Sequence, residues 1–366
     1  MLKTDPRIIV RPTSLISSSP KLRIRGVLNP SADRLKDGHI LLYARVAETP
    51  YHGERYFLSP RMMGSKSYSF RMEKIPRTKG QVSSEAFVTK EGLIRLPTIS
   101  HFRRIYLDEN AEKVIHLNQK PDFFGIKGEC DFGVEDPRTT FFEELNLHAM
   151  TYVSVSDHAG VSTSMATSKD LKRWTRFGIT FSQQNKDVVL FPRKVNGRFV
   201  ALHRPEGTMN FNRPSIWISY SKDLQYWGFD KPLMQPRFEA WDSLRIGAGT
   251  PPVEIEDGFL DLYHGVSYMD PNDDSKGKRY CAGAVVFDKE NPEVILARTP
   301  KTEPLFAPEL PEEKVGFVDN VVFPTDTVWK DKTKKELFVF AGAGDSAISV
   351  RSVRLKAVLN SLTWFK

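Results

Sequence analysis

The hydrophobic and polar positions of the chain follow one recurring plan. A short segment with a proline leads into a polar turn, and an apolar run that ends in polar or charged residues comes next. Few segments show the 3.6-residue period of an amphipathic helix, whereas runs rich in Val, Ile, Phe and Tyr between Gly, Pro and Asn are typical of β-strands. The pattern therefore predicts an all-β chain that is built from a repeated unit.

This unit occurs five times along the sequence. Its turns include Asn-Gly and Asp-Gly pairs, which are strong indicators of β-hairpins. The prolines that mark the copies are Pro30, Pro137, Pro192, Pro251 and Pro324. Because the intervals leave room for about four strands each, we predict a five-bladed β-propeller with a central active-site funnel. A large β-sandwich is the alternative.

Shorter patterns refine this plan. Residues 1–25 have no period and are expected to form an N-terminal extension, which precedes a propeller domain of residues 26–366. Residues 50–120 are expected to supply the outer strands of the first blade. Residues 168–174 and 221–227 share a Ser-Lys-Asp-Leu motif that ends in Trp, so Ser and Asp should bond their own backbone while Trp joins adjacent sheets. Pro311–Lys314 is expected to form a single helical turn.

Composition limits the class of protein and its partners. The 366 residues are 40% hydrophobic and 27% charged, which is typical of a globular protein. The net charge of +8 is dispersed among 45 acidic residues, so we expect a basic pocket for a small anion rather than a nucleic-acid partner. The two cysteines, together with the absence of an apolar run suited to a signal peptide or membrane span, indicate a cytoplasmic protein with no membrane partner.

The densest group of functional side chains lies in Gly133-Val134-Glu135-Asp136-Pro137-Arg138. Asp136 precedes a proline, which favours an extended backbone, and it is the candidate general acid; an exposed Asp–Arg ion pair is the plain alternative. In a propeller the inner strands converge on one channel, so polar residues at equivalent offsets should form a single site. The residues expected in this site are Asn29, Arg45, Asp136, Arg138, Lys186, Asp187, His203, Arg204, His264 and Asp345.

The residue types in this set favour a reaction with an anionic nucleophile. One acid among Lys, Arg and His side chains lacks the second carboxylate that inverting hydrolysis uses to activate water. Phosphate needs no base and is bound well by Arg and Lys donors. Three residues of this set also have an interpretation without a functional role. Lys186 could be a solvated turn residue, His203 a core histidine and His264 a structural residue.

Several segments, in order over residues 26–350, resemble a known family. They are residues 133–138, 186–192, 196–197, 203–205, 246–249, 263–265, 298–300 and 320–324. Together they are similar to the β-mannoside phosphorylases of glycoside hydrolase family 130. The resemblance implies a five-bladed β-propeller. It also implies reversible, inverting phosphorolysis of a β-mannoside to α-mannose 1-phosphate and a shortened acceptor.

The resemblance also assigns roles to residues of this chain. It makes Asp136 the general acid, acting through the mannose 3-hydroxyl as a relay. The phosphate would be held by Lys186, Arg204 and His264, and the mannose hydroxyls by Asn29, Arg45 and Asp345. Arg138, Asp187 and His203, which are expected in the same channel, are also predicted to bind the sugar. No metal and no cofactor are expected, apart from inorganic phosphate as co-substrate, and a homo-oligomer is expected.

Two other functions stay open on the sequence. Family members that hydrolyse mannosides lack the cationic clamp, so an inverting β-mannosidase is one alternative, and a non-catalytic carbohydrate-binding propeller is another. The presence of Lys186 and Arg204 favours phosphorolysis. The linkage, β-1,2 or β-1,4, should depend on loops 50–70, 205–213 and 268–279, which are expected to line the acceptor sites. Arg193 stands where the family has an acidic residue, and it matters only if it faces the channel.

Overall fold

In the part of the chain that the structure describes, the strands form five sheets of four to six strands, together with two separate two-stranded hairpins. The computed structural model describes residues 1–51, 53, 55–77, 86–207, 209 and 211–365. Its five sheets follow one another along the chain as the blades of a propeller. The prediction of an all-β, five-bladed β-propeller is therefore confirmed, and the β-sandwich alternative is wrong.

The first third of the chain forms one strand of the fifth blade and then the whole first blade. The strands are β1 (Arg7–Val10), β2 (Leu22–Arg34), β3 (Ile40–Pro50), β4 (Tyr56–Met62), β5 (Phe70–Pro76), β6 (Phe87–Val88), β7 (Ile94–Arg95), β8 (Ile99–Leu107), β9 (Val114–Leu117) and β10 (Phe123–Phe124). The first blade has the order β10-β8-β3-β2, and β9 also pairs with β8. The hairpins β4–β5 and β6–β7 are inserted between β3 and β8. Residues 52, 54 and 78–85 of this region, and residues 208 and 210 of the expected acceptor loop 205–213, lie outside the described residues.

The second and third blades are regular antiparallel meanders. Their strands are β11 (Val134–Phe142), β12 (Leu147–Ser156), β13 (Gly160–Ser168) and β14 (Thr175–Phe181), followed by β15 (Asn185–Leu190), β16 (Phe199–Pro205), β17 (Ile216–Ser221) and β18 (Trp227–Met234). Each blade pairs its strands in chain order. Short 3-10 helices at Pro12–Ser14 and Glu143–Leu145 lie in the connections.

The fourth and fifth blades complete the ring. Their elements are β19 (Arg245–Gly247), β20 (Val253–Glu254), β21 (Phe259–Asp270), β22 (Asp273–Phe287), β23 (Ile295–Arg298), α1 (Pro311–Lys314), β24 (Val322–Trp329), β25 (Glu336–Ala343), β26 (Ala347–Arg354), α2 (Leu355–Asn360) and β27 (Thr363–Trp364). The helical turn predicted at Pro311–Lys314 is α1. The fifth sheet has the order β1-β26-β25-β24, so part of the predicted extension of residues 1–25 packs on the outer edge of this blade.

Five large apolar clusters hold the ring together, and each lies between two neighbouring blades. Successive side chains of a strand point to opposite faces of its sheet, and both faces of each blade are covered by a neighbour. The apolar runs of the repeat therefore become strands that are buried on both sides, such as β3 and β25. This packing fixes the inner strands β2, β11, β15, β19 and β24 around the axis.

The Ser-Lys-Asp-Leu motif forms the local structure that the sequence predicts. The Asp170 carboxylate accepts backbone N–H bonds from Lys172 at 2.9 Å and Arg173 at 2.8 Å. The Trp174 indole donates to the Tyr43 hydroxyl at 3.0 Å, which joins the second blade to the first. The equivalent Trp227 of the third blade packs on Phe181 of the second, with ring centroids 5.4 Å apart.

Two further observations concern the cysteines and the helices. Cys130 and Cys281 are both buried free thiols. Within the described ranges, no helix has the length and apolar character that are needed to cross a membrane. The cytoplasmic location stays a prediction.

Candidate active site

The inner strands converge on a cavity of about 160 Å³ at the axis of the ring. Eight of the ten predicted site residues line it, namely Asn29, Arg45, Asp136, Lys186, Asp187, Arg204, His264 and Asp345. They come from all five blades, and the two outermost, Asn29 and Asp345, are more than three hundred positions apart in the chain. The convergence that the repeat predicts is therefore present in the structure.

Four of these residues have a positive φ angle. Asp345, in the turn between β25 and β26, has a φ of 49°, and the other three share a position in their strands. Asn29, Asp136 and Asp187 have positive φ angles of 44°, 51° and 55°. Each lies at a break in the register of its inner strand with the next strand. Asn and Asp tolerate this left-handed conformation better than most residues, and bulges near active sites re-aim side chains. The bulge thus turns the same position of three blades toward the axis.

The bulge also corrects one sequence expectation. Pro137 was expected to hold Asp136 in an extended conformation, which is wrong, because Asp136 is left-handed. The bend brings Glu135 and Asp136 to the same guanidinium. Arg45 donates from Nη2 to Glu135 Oε1 at 2.6 Å and from Nη1 to Asp136 Oδ1 at 3.0 Å.

Asp136 is an ionised carboxylate in this environment. Its Oδ1 accepts a second hydrogen bond from Asn29 Nδ2 at 2.8 Å. Burial acts to raise the pKa of Asp136, but the charges of Arg45 and Arg138 and the hydrogen bond from Asn29 outweigh it and hold the pKa below its ordinary value. If Asp136 is a general acid, it must therefore take up its proton after a bound ligand has changed the charge around it.

Arg138 lies behind the cavity rather than in its wall. The side chain is buried, and its Nε donates to the Gly249 carbonyl at 2.7 Å. Its Nη1 donates to the Asp136 carbonyl at 3.0 Å. These bonds tie the bulge of the second blade to the fourth blade, so Arg138 positions Asp136.

The second group of charges surrounds Arg204. Its Nη1 lies 2.5 Å from Asp187 Oδ2, and its Nη2 lies 2.8 Å from Glu206 Oε1. His264 Nε2 is 3.0 Å from Arg204 Nη1, and because a guanidinium only donates, this nitrogen accepts and Nδ1 carries the proton. Burial and the charge of Arg204 hold the pKa of His264 well below its ordinary value, so the ring is neutral.

Lys186 is opposite Arg204 in the ladder between β15 and β16. Among the described residues, no carboxylate lies within ion-pair distance of its ammonium group. Arg204, in contrast, already has two carboxylate partners. Lys186 is therefore the cation of this group whose charge is most available to a ligand.

The sequence reasoning missed several residues that line the cavity. Arg245 of β19 donates from Nη2 to the Tyr280 hydroxyl, and its guanidinium lies 5.5 Å from the centre of the Tyr280 ring. Burial lowers the pKa of Arg245, but Tyr280 and Glu206 more than offset this, so the pKa is raised. Arg245 directly precedes the Ile-Gly-Ala-Gly segment of residues 246–249, which could have indicated it, but β19 lies outside the Pro-turn-strand repeat.

The charge balance of the cavity also differs from the expectation of a single acid among cations. Among the described residues, four cations line it, namely Arg45, Lys186, Arg204 and Arg245, and so do four carboxylates, namely Glu135, Asp136, Asp187 and Asp345. The reasoning from a single acid is wrong, because Glu135, Asp187 and Asp345 line the cavity as well. Glu135 pairs with Arg45, and Asp187 pairs with Arg204. Positive charge is available locally around Lys186 and Arg245.

The side chains of His203 and Arg193 lie outside the cavity. His203 precedes Arg204 on β16 and points to the opposite face, where its Nδ1 is 2.9 Å from Asn185 Nδ2 and its Nε2 is 3.2 Å from Asp230. Burial lowers the pKa of His203 to about 4, although Asp230 opposes the shift. The structure does not bring His203 into the cavity. Arg193 bonds Glu254 at 3.1 and 3.2 Å, also away from the cavity.

Comparison with known proteins agrees with this geometry. A model of glycoside hydrolase family 130, described as beta-1,4-mannooligosaccharide phosphorylase, matches residues 90–363. The chain is 36% identical over 228 residues to a 1,2-beta-oligomannan phosphorylase of a Thermoanaerobacter species, which covers 62% of this chain and 70% of the relative.

A second relative is similar in both sequence and structure. The chain is 29% identical over 340 residues to a beta-1,2-mannobiose phosphorylase of Listeria innocua, with 89% of this chain and 88% of the relative covered. A solved structure of the beta-1,2-mannobiose phosphorylase from Listeria innocua, in complex with beta-1,2-mannobiose, has a TM-score of 0.85 at 28% identity and covers 96% of each chain. The chain therefore belongs to glycoside hydrolase family 130, and the two relatives described here are named as mannoside phosphorylases.

Proposed function

We propose that this protein is an inverting phosphorylase of β-mannosides, which releases α-mannose 1-phosphate and a shortened acceptor. The observation that carries the proposal is the position of Lys186. Its ammonium has no carboxylate partner among the described residues, and it lines the same cavity as the candidate acid Asp136. A cation without a counter-ion beside two further arginines suits an anionic nucleophile.

In the proposed reaction, a phosphate oxygen attacks the anomeric carbon of the mannose on the face opposite the glycosidic oxygen. The bond from that carbon to the glycosidic oxygen breaks, and the departing oxygen takes a proton that comes from Asp136. Phosphate would be held by Lys186, Arg204 and His264, with Arg245 as a further donor. Attack from the opposite face inverts the configuration, which gives the α-phosphate.

The low pKa of Asp136 in the free protein fits this order of events. Arg45 and Arg138 stabilise the ionised carboxylate. A phosphate anion in the same cavity adds negative charge, which raises the pKa of Asp136 and favours its protonated form. Asp136 would therefore be protonated when both substrates are bound. Phosphate would act as the nucleophile, and its negative charge would favour the protonated form of Asp136.

The sugar would lie between Asp136 and the fifth blade. Asn29 and Arg45 bond the carboxylate of Asp136, so the same side chains that hold the acid are placed to hold mannose hydroxyls. Asp345 lines the cavity from the fifth blade. Asp187 would act through Arg204, which it contacts, and Arg138 would act through the backbone of Asp136. His203 has no such contact in this cavity, and its assignment to the mannose of the catalytic cavity is not proposed further.

An inverting β-mannosidase would need a second carboxylate to activate water. Glu135 lines the same cavity, but its Oε1 accepts a hydrogen bond from Arg45 Nη2 at 2.6 Å, so this oxygen is occupied by the guanidinium. The names of the two relatives favour a β-1,2 linkage, whereas the description of the family model gives β-1,4. We propose a β-1,2-linked manno-oligosaccharide as the first substrate to test.

The test measures mannose 1-phosphate release from β-1,2- and β-1,4-linked manno-oligosaccharides with and without inorganic phosphate. We expect phosphate-dependent release, and a loss of about 10²- to 10⁴-fold in kcat for Asp136→Asn, because a positioned general acid contributes a factor of this size. Asp5→Asn, at an exposed aspartate, is the matched control and should keep full activity. Free mannose at the same rate without phosphate would establish hydrolysis instead. Turnover that survives Asp136→Asn would remove this residue as the acid.

A further inference from the structure

A second groove lies on the third blade, on the other side of the β15–β16 ladder from the catalytic cavity. Its volume is about 480 Å³. Lys186 and Arg204 face the catalytic cavity, and their neighbours Asn185 and His203 line the groove. The alternation of side chains along two paired strands therefore builds two recesses, and the proposed function uses one of them.

Aromatic rings form one wall of this groove. Phe181 lies 5.0 Å from the His203 ring and 5.4 Å from Trp227, and His203 lies 6.5 Å from Trp217, each measured between ring centroids. Both tryptophans are partly exposed. Flat aromatic faces that remain open to solvent can pack on the C–H faces of a sugar ring, since such rings combine apolar area with little loss of side-chain freedom.

Polar groups form the rest of the lining. The side chain of Asp230 is 50% exposed, and its Oδ1 accepts a hydrogen bond from Ser219 Oγ at 2.7 Å, which fixes its orientation. Asn185 is 6% exposed, and its Oδ1 has no hydrogen-bond donor among the described residues. A buried acceptor without a donor is costly unless a ligand or water supplies one. Gln183, Gln184 and Asn212 add side-chain amides that both donate and accept.

The charge of the groove distinguishes it from the catalytic cavity. Neither Lys nor Arg belongs to its lining in the part of the chain that the structure describes, and its carboxylates are Asp230 and Glu206. Such a lining repels phosphate and other anions and suits a neutral ligand with many hydroxyl groups. Glu206 also bonds Arg204 at 2.8 Å, so it stands between the groove and the catalytic cavity.

We propose that this groove is a distal carbohydrate subsite, which holds the part of a manno-oligosaccharide that extends beyond the catalytic cavity. Its fit to a neutral oligosaccharide follows from the aromatic wall and the amide and carboxylate groups. The choice of mannose as the sugar rests on the proposed function. Trp217 and Asp230 are the residues that bind the distal sugar units.

The test compares binding of a manno-disaccharide and a manno-hexasaccharide of the same linkage by isothermal titration calorimetry. It uses the full chain carrying Asp136→Asn, so that turnover does not interfere. We expect the hexasaccharide to bind more tightly than the disaccharide. Adding Trp217→Ala or Asp230→Asn should weaken hexasaccharide binding about tenfold, in line with the loss of one aromatic or charged hydrogen-bonding contact, and leave disaccharide binding within about twofold.

Tyr226→Ala is the matched control, because Tyr226 is an exposed aromatic residue of the same blade outside the groove. Its affinity for both ligands should equal that of the parent. Equal affinity of the parent for both lengths would overturn the subsite, as would an equal loss for both ligands in Trp217→Ala and Asp230→Asn with unchanged melting temperatures. Phosphorolysis by the wild-type chain is measured separately, so a failure of the proposed function is distinguishable from a failure of the subsite.

Discussion

Individual residues in rare backbone conformations set the geometry of the cavity. Asn29, Asp136 and Asp187 each occupy the left-handed region at a strand bulge. This conformation is strained, and the polar contacts of these side chains in the cavity offset the strain. A glycine of β19 leaves the space that the side chains of the cavity need. Gly247 lies where the side chains of Asp187, Arg204 and His264 meet, and its lack of a Cβ allows them to meet.

Gly247→Ala should therefore damage the phosphate site while the fold persists. A methyl group at this position would overlap Asp187 Oδ2 and His264 Cε1 and lie 2.8 Å from Arg204 Nη1. We expect KM for phosphate to rise about tenfold or more, because a shift of about 1 Å in a positioning group can cost a factor of this size. The measurement is initial velocity at varied phosphate, with KM for the mannoside as the internal reference.

Gly228→Ala is the control for this experiment, because nothing lies within 4 Å of the Cβ that it would add. It should leave both KM values unchanged. Identical phosphate kinetics of Gly247→Ala and wild type would show that the Arg204 group does not bind phosphate.

The residue scale also shows which parts of the site the sequence could predict. Asp136 could be found because it stands at a recurring offset of the repeat, and Lys186 because it lies just ahead of the third unit. The left-handed backbone of Asp136 could not, because a following proline favours an extended residue and the bulge depends on pairing with β12. Arg245 and Tyr280 were missed because β19 and β22, on which they lie, are outside the Pro-turn-strand repeat.

At the scale of elements, strand alternation explains the difference between His203 and Arg204. Both end the same apolar run, and sequence reasoning placed both in the site. On β16 they are consecutive, so one faces the cavity and the other the groove of the third blade. The sequence contains this alternation, but the register that decides which of the two faces the axis comes from the pairing of Lys186 with Arg204.

The strand β1 shows the limit of pattern reading for short elements. It has four residues, too few for a period to be visible, yet it completes the sheet of the last blade. Val10 is buried in the cluster between the fifth and first blades. Arg7 donates from Nη2 to the Ala111 carbonyl of the first blade at 3.0 Å. The strand thus links the two blades at which the ring closes.

Deletion of residues 1–10 should therefore destabilise the whole ring. We expect the free energy of unfolding to fall by about 3 kcal/mol, since a buried Val alone contributes about 1.5–3 kcal/mol and the edge of β26 loses its partner. Thermal or urea unfolding measures the change. Deletion of residues 1–5 keeps β1 and should cost much less. Equal stability of both deletions and the full chain would show that β1 does not close the ring.

At the scale of the whole molecule, the net charge of the chain does not show where an anion would bind. The net charge of +8 predicted a basic pocket, but the cavity holds equal numbers of cations and carboxylates. The surplus lies partly on exposed surface such as residues 330–335. Net charge therefore could not locate the phosphate site, whereas the convergence of five blades could. The sequence predicted the ring and most of the residues around its axis. It could not predict which cations are paired, because the ion pairs that leave Lys186 available to a ligand form between segments that meet only in the folded chain.

Because the cavity takes side chains from every blade, phosphate bound there should stabilise the assembled ring against unfolding. A ligand that binds the folded state alone, at one hundred times its Kd, contributes about 2.7 kcal/mol. We expect inorganic phosphate to raise the melting temperature of the wild type, relative to sodium chloride at equal ionic strength, which controls for screening. Lys186→Ala should abolish most of this shift, because it removes the cation without a carboxylate partner among the described residues. Lys332→Ala, at an exposed lysine, should retain it. A full phosphate shift in Lys186→Ala would place the anion at another site and remove the main support for phosphorolysis.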